Sequence, residues 1–180
     1  MKICMIGTGY VGLVSGTCFA DLGNDVICVD KDKNKIENLK NGKIPIFEPG
    51  LEELIIKNSK IKTLKFSNDI NKSIKDSNII FICVGTPTDK KTKNANLKYV
   101  YQVAQSIKKN LNKYKIIVTK STVPITTGDK IEKILNSKKN KNKFDVVSNP
   151  EFLREGEAIR DFVYPDRVVV GTNSIKANKI

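Results

Sequence analysis

The chain is 180 residues long, carries 32 Lys and Arg against 19 Asp and Glu for a formal charge of +13, and contains no histidine. That length accommodates one domain with a full core, no run of about 18 apolar residues predicts a helical membrane span, and histidine zinc ligands and a histidine general base are both excluded within these residues. The lysines are scattered among asparagines, as in 31–43 and 136–143, with no basic stripe interleaved with aromatics, so a Lys/Asn bias explains the charge and no nucleic-acid partner is expected.

The chain opens on the stretch around which the rest is organised. Ile3-Cys4-Met5-Ile6 reads as a short strand leading into Gly7-Thr8-Gly9-Tyr10-Val11-Gly12, then a helix to Leu22, then a second strand, Val26-Ile27-Cys28-Val29, closed by Asp30. Gly7 permits the tight turn out of the strand, Gly9 lets backbone approach a pyrophosphate, and Gly12 lets the helix pack close to the sheet. The helix start offers unpaired N–H groups and a partial positive charge to an anion. Asp30, about 20 residues on, is placed to accept hydrogen bonds from the adenosine ribose. A carboxylate there repels a 2′-phosphate, which points to NAD rather than NADP. Glycines also gather in ordinary turns, but the strand before, the helix after and the acid at this distance agree on a dinucleotide fingerprint.

After Asp30, Lys33 to Lys40 reads as an exposed amphipathic helix ended by Asn41-Gly42. Lys35 in its first turns lies near the expected ribose, although its position equally suits a solvated lysine. Residues 44–50, with two prolines, read as a fixed loop, followed by a helix from Leu51 to Asn58, a strand from Thr63 to Phe66 and a helix to Lys75 capped by Ser67-Asn68-Asp69. The run from Asn78 to Val84 lacks alternation and fits a strand covered on both faces. It stops at Gly85-Thr86-Pro87, and ligands of open α/β sheets bind beyond the carboxyl ends of strands, so Thr86 is a candidate cofactor contact.

A helix over Leu97 to Leu111, a strand over Lys115 to Thr119 running into Lys120-Ser121-Thr122-Val123-Pro124, and a helix from Thr127 to Leu135 continue the pattern. Phe144 to Ser148 is read as a sixth strand, Glu157 to Phe162 as a short helix and Arg167 to Val170 as a seventh strand. The alternation predicts an α/β fold, a doubly wound parallel sheet of Rossmann type. Cys4, Cys18, Cys28 and Cys83 fall inside apolar patterns without metal-binding spacing, and no basic-then-apolar leader precedes the first strand. They are expected to be reduced core residues of a cytoplasmic protein. Ser174 caps what reads as a new helix just before the last residue, which suggests that residues 1–180 are the first domain of a longer chain.

Five motifs occur in order: Gly7 to Leu13, Glu48-Pro49-Gly50-Leu51, Val84-Gly85-Thr86-Pro87, Lys120 to Pro124, and Asn149 to Gly156 with Pro165-Asp166-Arg167. Together, over essentially the whole chain, they resemble the N-terminal NAD-binding domain of the UDP-glucose/GDP-mannose dehydrogenase family, most closely the branch that oxidises UDP-glucose. The resemblance implies a two-step oxidation of the sugar C6 alcohol to a carboxylate with two NAD, through a thiohemiacetal and a thioester on a cysteine of a second domain that these residues do not include. A catalytic lysine and asparagine come from that domain too, so residues 1–180 alone are expected to be inactive. It also implies a homodimer or higher assembly for the full-length protein.

By the same resemblance, Gly7, Thr8, Gly9, Tyr10, Val11 and Gly12 surround the pyrophosphate, Asp30 and Lys35 hold the ribose, and Thr86, Thr122 and Glu155 line the dinucleotide. Thr122, Glu151 and Glu155 stand at the reaction centre, and Glu151, Phe152, Leu153 and Arg154 begin the substrate site. Glu151 and Glu155 would share a face if helical, and a carboxylate beside a hydroxyl supplies the base and oriented water that thioester hydrolysis needs. On position alone the two acids suit the capping of a helix start better than a catalytic role. Dehydrogenases of GDP-mannose or UDP-N-acetylmannosamine, a non-catalytic nucleotide-binding module, and a nucleic-acid binder resting only on net charge are the alternative readings.

Overall fold

In a computed structural model, which describes residues 1–180, six strands form one all-parallel sheet in the spatial order β3-β2-β1-β4-β5-β6. The strands are β1 (Lys2–Ile6), β2 (Asp25–Val29), β3 (Leu64–Ser67), β4 (Ile79–Ile82), β5 (Lys115–Thr119) and β6 (Phe144–Ser148). The helices are α1 (Tyr10–Asp21), α2 (Lys33–Lys40), α3 (Leu51–Lys60), α4 (Ile70–Asp76), α5 (Lys98–Asn110), α6 (Thr127–Leu135), α7 (Ala158–Val163) and α8 (Ile175–Asn178). This is the doubly wound order, whose reversal between β1 and β4 opens a crevice at the carboxyl edge.

The central strands read as unbroken apolar runs because both their faces are covered. Ile3 and Met5 of β1 face one core layer with Leu13, Ile55 and Ala158, whereas Cys4 and Ile6 face the other with Ile74, Val100, Ala104 and Ile131. The same alternation separates Ile79 and Phe81 from Ile80 and Ile82 in β4. The helix ends follow local chemistry: Asp32 caps α2 through the Lys35 N–H, and Asp69 caps α4 through the Lys72 N–H. All four cysteines are free and buried, and burial pushes the Cys18 and Cys83 thiols up to about 12. No helix is long and apolar enough to cross a membrane.

The expected seventh strand does not form. Arg167 to Val170 lies outside the sheet, with Val168 67% exposed, and the one backbone bridge to β6 is made by Gly171, which exchanges two 2.8 Å hydrogen bonds with Ser148 in antiparallel sense. Val-rich composition favours a strand only where a neighbouring edge and an apolar face receive it, and here neither does.

Candidate functional site

The turn after β1 is built around Gly7, whose φ of +107° lies in the left-handed region and whose added Cβ would stand 2.5 Å from the Cys83 carbonyl oxygen. A Cβ on Gly12 would meet the Gly7 carbonyl oxygen at 1.9 Å, so this glycine lets α1 fold back onto its own turn as well as approach the sheet. Gly9 differs, since nothing lies within 4 Å of the Cβ it lacks. It is the N-cap of α1, extended and with no side-chain cap. The orphan N–H groups of the first helical turn are thus open to an anion that can come within backbone distance.

Asp30, at the end of β2, faces that turn. Its Oδ2 accepts the Thr8 N–H at 3.0 Å, the Thr8 hydroxyl at 2.8 Å and the Lys35 ammonium at 3.3 Å, while Oδ1 accepts the Asp32 N–H at 3.2 Å. Burial by itself raises this carboxyl, but the Thr8 and Asp32 hydrogen bonds and the Lys35 charge outweigh it and hold the group below its ordinary range. An ionised carboxylate with capacity left on Oδ1 can accept a ribose hydroxyl. A cleft of about 730 Å³ runs from Gly7 and Gly9 past Asp30 and Lys35 to Tyr99 and Ser106. At its far end the Lys31 ammonium lies 4.6 Å from the Tyr99 ring centroid. An uncapped helix start, a glycine with free space above it and a carboxylate at the next strand end fit a dinucleotide.

The structure places the predicted residues unevenly. Gly7, Gly9, Asp30 and Lys35 come together in this cleft. Val11 is half-buried in the first turn of α1, and Thr8 is fully buried with both donors spent on Asp30, so its side chain supports the acid. Thr86 and Thr122 meet: the Thr86 hydroxyl donates to the Thr122 carbonyl at 3.0 Å, joining the loops after β4 and β5, and the Thr122 side chain is exposed.

The segment after β6 is not helical, so the condition under which Glu151 and Glu155 would share a face is not met. Glu151 accepts the Leu153 N–H at 2.6 Å, the Arg154 N–H donates to Asp161 at 2.9 Å, and Gly156 takes a φ of +88°. These side-chain bonds to backbone compete with helix formation, and α7 starts only at Ala158. Glu155 is exposed in the turn, whereas Glu151, Phe152, Leu153 and Arg154 line a second cavity of about 450 Å³. There the Arg154 guanidinium grips Asp161 at 2.6 and 3.0 Å and Glu157 at 2.9 Å. Hydrogen bonds and charge from Arg154 lower Asp161 to about 2. The Arg167 guanidinium carbon stands 5.4 Å from the centroid of the Phe152 ring.

Beside the site, sequence reading missed the burial of two ionisable groups, Lys120 and Glu48. Lys120 is only 7% exposed, donates to Asn149 Oδ1 at 3.0 Å, and lines the smaller cavity with Glu151. Burial lowers its ammonium against the opposing influence of Cys83 and Glu151. Its signal was a cation directly after the buried strand that carries Ile116, Ile117 and Val118, hidden by the abundance of lysine. Glu48, also 7% exposed, accepts the Tyr10 hydroxyl and the N–H groups of Gly156 at 2.8 Å and Ile159 at 3.4 Å. Tyr10, expected among the cofactor contacts, turns its phenol toward this acid, and burial with the Glu48 hydrogen bond pushes it up to about 12. Glu48 stood in a quoted motif, but nothing local to it foretold burial.

Comparison with known proteins agrees with this geometry. The NAD-binding-domain model of the UDP-glucose/GDP-mannose dehydrogenase family matches residues 1–180. The UDP-glucose 6-dehydrogenase TuaD of Bacillus subtilis is 55% identical over 180 residues, 99% of this chain and 39% of that protein. A UDP-glucose dehydrogenase structure from Pyrobaculum islandicum superposes with a TM-score of 0.93 at 35% identity, covering 98% of this chain and 42% of that one. A ternary complex of GDP-mannose dehydrogenase from Pseudomonas aeruginosa gives 0.92 at 35% identity, covering 99% and 42%. The chain spans about 40% of the length of the curated relatives it matches.

Proposed function

The chain belongs to the UDP-glucose/GDP-mannose dehydrogenase family, whose NAD-binding domain it matches throughout, and from that premise we propose that it is the cofactor half of a UDP-glucose 6-dehydrogenase. The reading extends to a cytoplasmic enzyme that oxidises the C6 alcohol of UDP-glucose to UDP-glucuronate with two NAD. Residues 1–180 form its NAD-binding domain, and a further domain supplies the thiol and most of the sugar site. The full-length protein is proposed to be a homodimer or larger. The observation that carries the cofactor part is Asp30, an ionised carboxylate facing the uncapped start of α1 across the glycine turn. The high identity to TuaD supports UDP-glucose over GDP-mannose.

The residues divide the work. The first turn of α1 holds the pyrophosphate on backbone N–H groups, Asp30 with Lys35 orients the adenosine ribose, and the loops after β4 and β5, pinned by Thr86 and Thr122, flank the nicotinamide. NAD, when bound, supplies the hydride acceptor. The Thr122 hydroxyl and the Glu155 carboxylate then orient a water and take its proton for thioester hydrolysis. Phe152, Leu153 and Arg154 begin the sugar-nucleotide site, with Arg154 held in place by Asp161 and Glu157.

Titration calorimetry tests the reading. The chain is expected to bind NAD in preference to NADP and to show no turnover with UDP-glucose alone. Binding of NADP with no heat from NAD overturns the cofactor assignment, and turnover by residues 1–180 overturns the proposed division between domains.

A further inference from the structure

Glu48 stands between the two halves of the site and belongs to neither. It lies in the loop before α3, outside every helix and strand, yet is 7% exposed. Its partners are a phenol and two amides rather than a cation: the Tyr10 hydroxyl, the Gly156 N–H at 2.8 Å and the Ile159 N–H at 3.4 Å. The Gly156 N–H is shared with the Tyr10 oxygen at 3.1 Å, and that oxygen also lies 3.3 Å from the Arg154 carbonyl.

A carboxylate taken out of water is tolerated when such donors replace its hydration. Capping of α7 accounts for Ile159, but it leaves Tyr10 unexplained. Tyr10 is the first residue of α1, so its backbone belongs to the phosphate-binding turn while its phenol reaches the acid-bearing segment. The turn with Arg154, Glu155 and Gly156 has no regular structure of its own. Its attachment to the domain on this side is the Glu48 and Tyr10 pair.

We propose that Glu48 is a positioning residue: its carboxylate fastens the Glu155-bearing turn to the first turn of the phosphate-binding helix, coupling cofactor occupancy to the order of residues 154–159. The inference rests on the reading of that helix start as the NAD cradle. Coupling of this kind is reciprocal, so whatever NAD gives to the order of the turn, the ordered turn returns to NAD affinity.

Amide hydrogen exchange on the chain, read residue by residue for the parent, Glu48→Ala, Glu48→Gln and Tyr10→Phe, tests it. Glu48→Ala is expected to accelerate exchange at Gly156 and Ile159 on the order of tenfold relative to the β1 and β4 amides, with Glu48→Gln partly retaining protection through its remaining acceptor. Saturating NAD should slow the same two amides in the parent and not in Glu48→Ala. Unchanged exchange at Gly156 and Ile159, or acceleration spread evenly over the sheet, overturns the proposal. If Glu48→Ala does not fold, Tyr10→Phe, which loses only the phenolic oxygen, is read in its place against the same criterion. Calorimetry of NAD on the parent separates the two ideas: no binding there overturns the cradle and with it the coupling to NAD, while the exchange data without ligand still decide whether Glu48 holds the turn.

Discussion

Thr8 and Asp30 are joined twice, the backbone N–H and the hydroxyl of Thr8 both donating to the same carboxylate oxygen at 3.0 and 2.8 Å. The turn proposed to receive the phosphates and the acid proposed to receive the ribose are therefore one rigid unit, with the acid already aimed at the turn. With Lys35 on the same oxygen at 3.3 Å, the open acceptor capacity is on Oδ1.

Asp30→Ala is accordingly expected to weaken NAD binding by about 10- to 100-fold, the loss that goes with one or two hydrogen bonds to a charged acceptor. Thr8→Val removes the aiming hydroxyl and should cost less, roughly three- to tenfold. Lys35→Ala should change affinity least, because its single 3.3 Å contact falls on an oxygen that Thr8 already holds twice. Calorimetric NAD affinities in that order support the arrangement, and an Asp30→Ala affinity equal to the parent's removes the acid from the site.

How much of this was readable beforehand follows from the range of the physics. The parallel, doubly wound character of the sheet was legible because runs such as Ile79 to Ile82 need cover on both faces, and the candidate cradle because glycine spacing and Asp30 lie within about 30 residues of chain. Arg167 to Val170 misled because its valines resemble a strand whatever lies beside them, and their partner was missing from space rather than from sequence. Glu48 escaped because its burial is made by residues 38 and 108 positions away. Whether Glu151 and Glu155 share a helical face was left open by their spacing, because the side-chain bonds to backbone that decide it are not encoded there.

Gly9 and Gly12 should separate folding from binding. A Cβ at Gly12 lands 1.9 Å from the Gly7 carbonyl oxygen, so Gly12→Ala is expected to cost roughly 3 kcal/mol or more of stability through overpacking against backbone. A Cβ at Gly9 meets nothing within 4 Å, so Gly9→Ala should leave the melting temperature within about 2 °C of the parent and lose NAD affinity at least tenfold, because the methyl occupies the space left for phosphate. Thermal melts paired with NAD titrations read both effects, and a Gly9→Ala protein that binds NAD normally places the phosphates elsewhere.

In the full-length protein, Thr122→Ala and Glu155→Gln are expected to lower kcat for UDP-glucose by about 10²- to 10⁴-fold, the range for loss of a positioned acid or base group. NAD affinity should change by less than about fivefold, since both side chains are exposed and neither holds the fold. Single-turnover kinetics can place the loss: slowed release of the carboxylate product after an unimpaired first oxidation supports the hydrolytic role, and an unchanged kcat in both variants removes it.

Lys115 sets a pH dependence that has nothing to do with the cleft. It is fully buried at the start of β5, where its ammonium donates to the carbonyls of Lys75 at 3.0 Å and Ser77 at 2.5 Å, and burial, with a smaller contribution from Lys113, lowers it to about 8. The ordinary value is 10.5, so between pH 8 and 10.5 the unfolded chain holds more protons at this site than the folded one. Stability from this group must therefore rise with pH across that window, by up to roughly 3 kcal/mol, and be flat below it. Lys115→Met removes the titrating group while keeping most of its volume. Urea midpoints measured from pH 7 to 10.5 should show the parent gaining on the variant as pH climbs, and parallel curves would mean that the buried amine keeps its ordinary affinity for a proton.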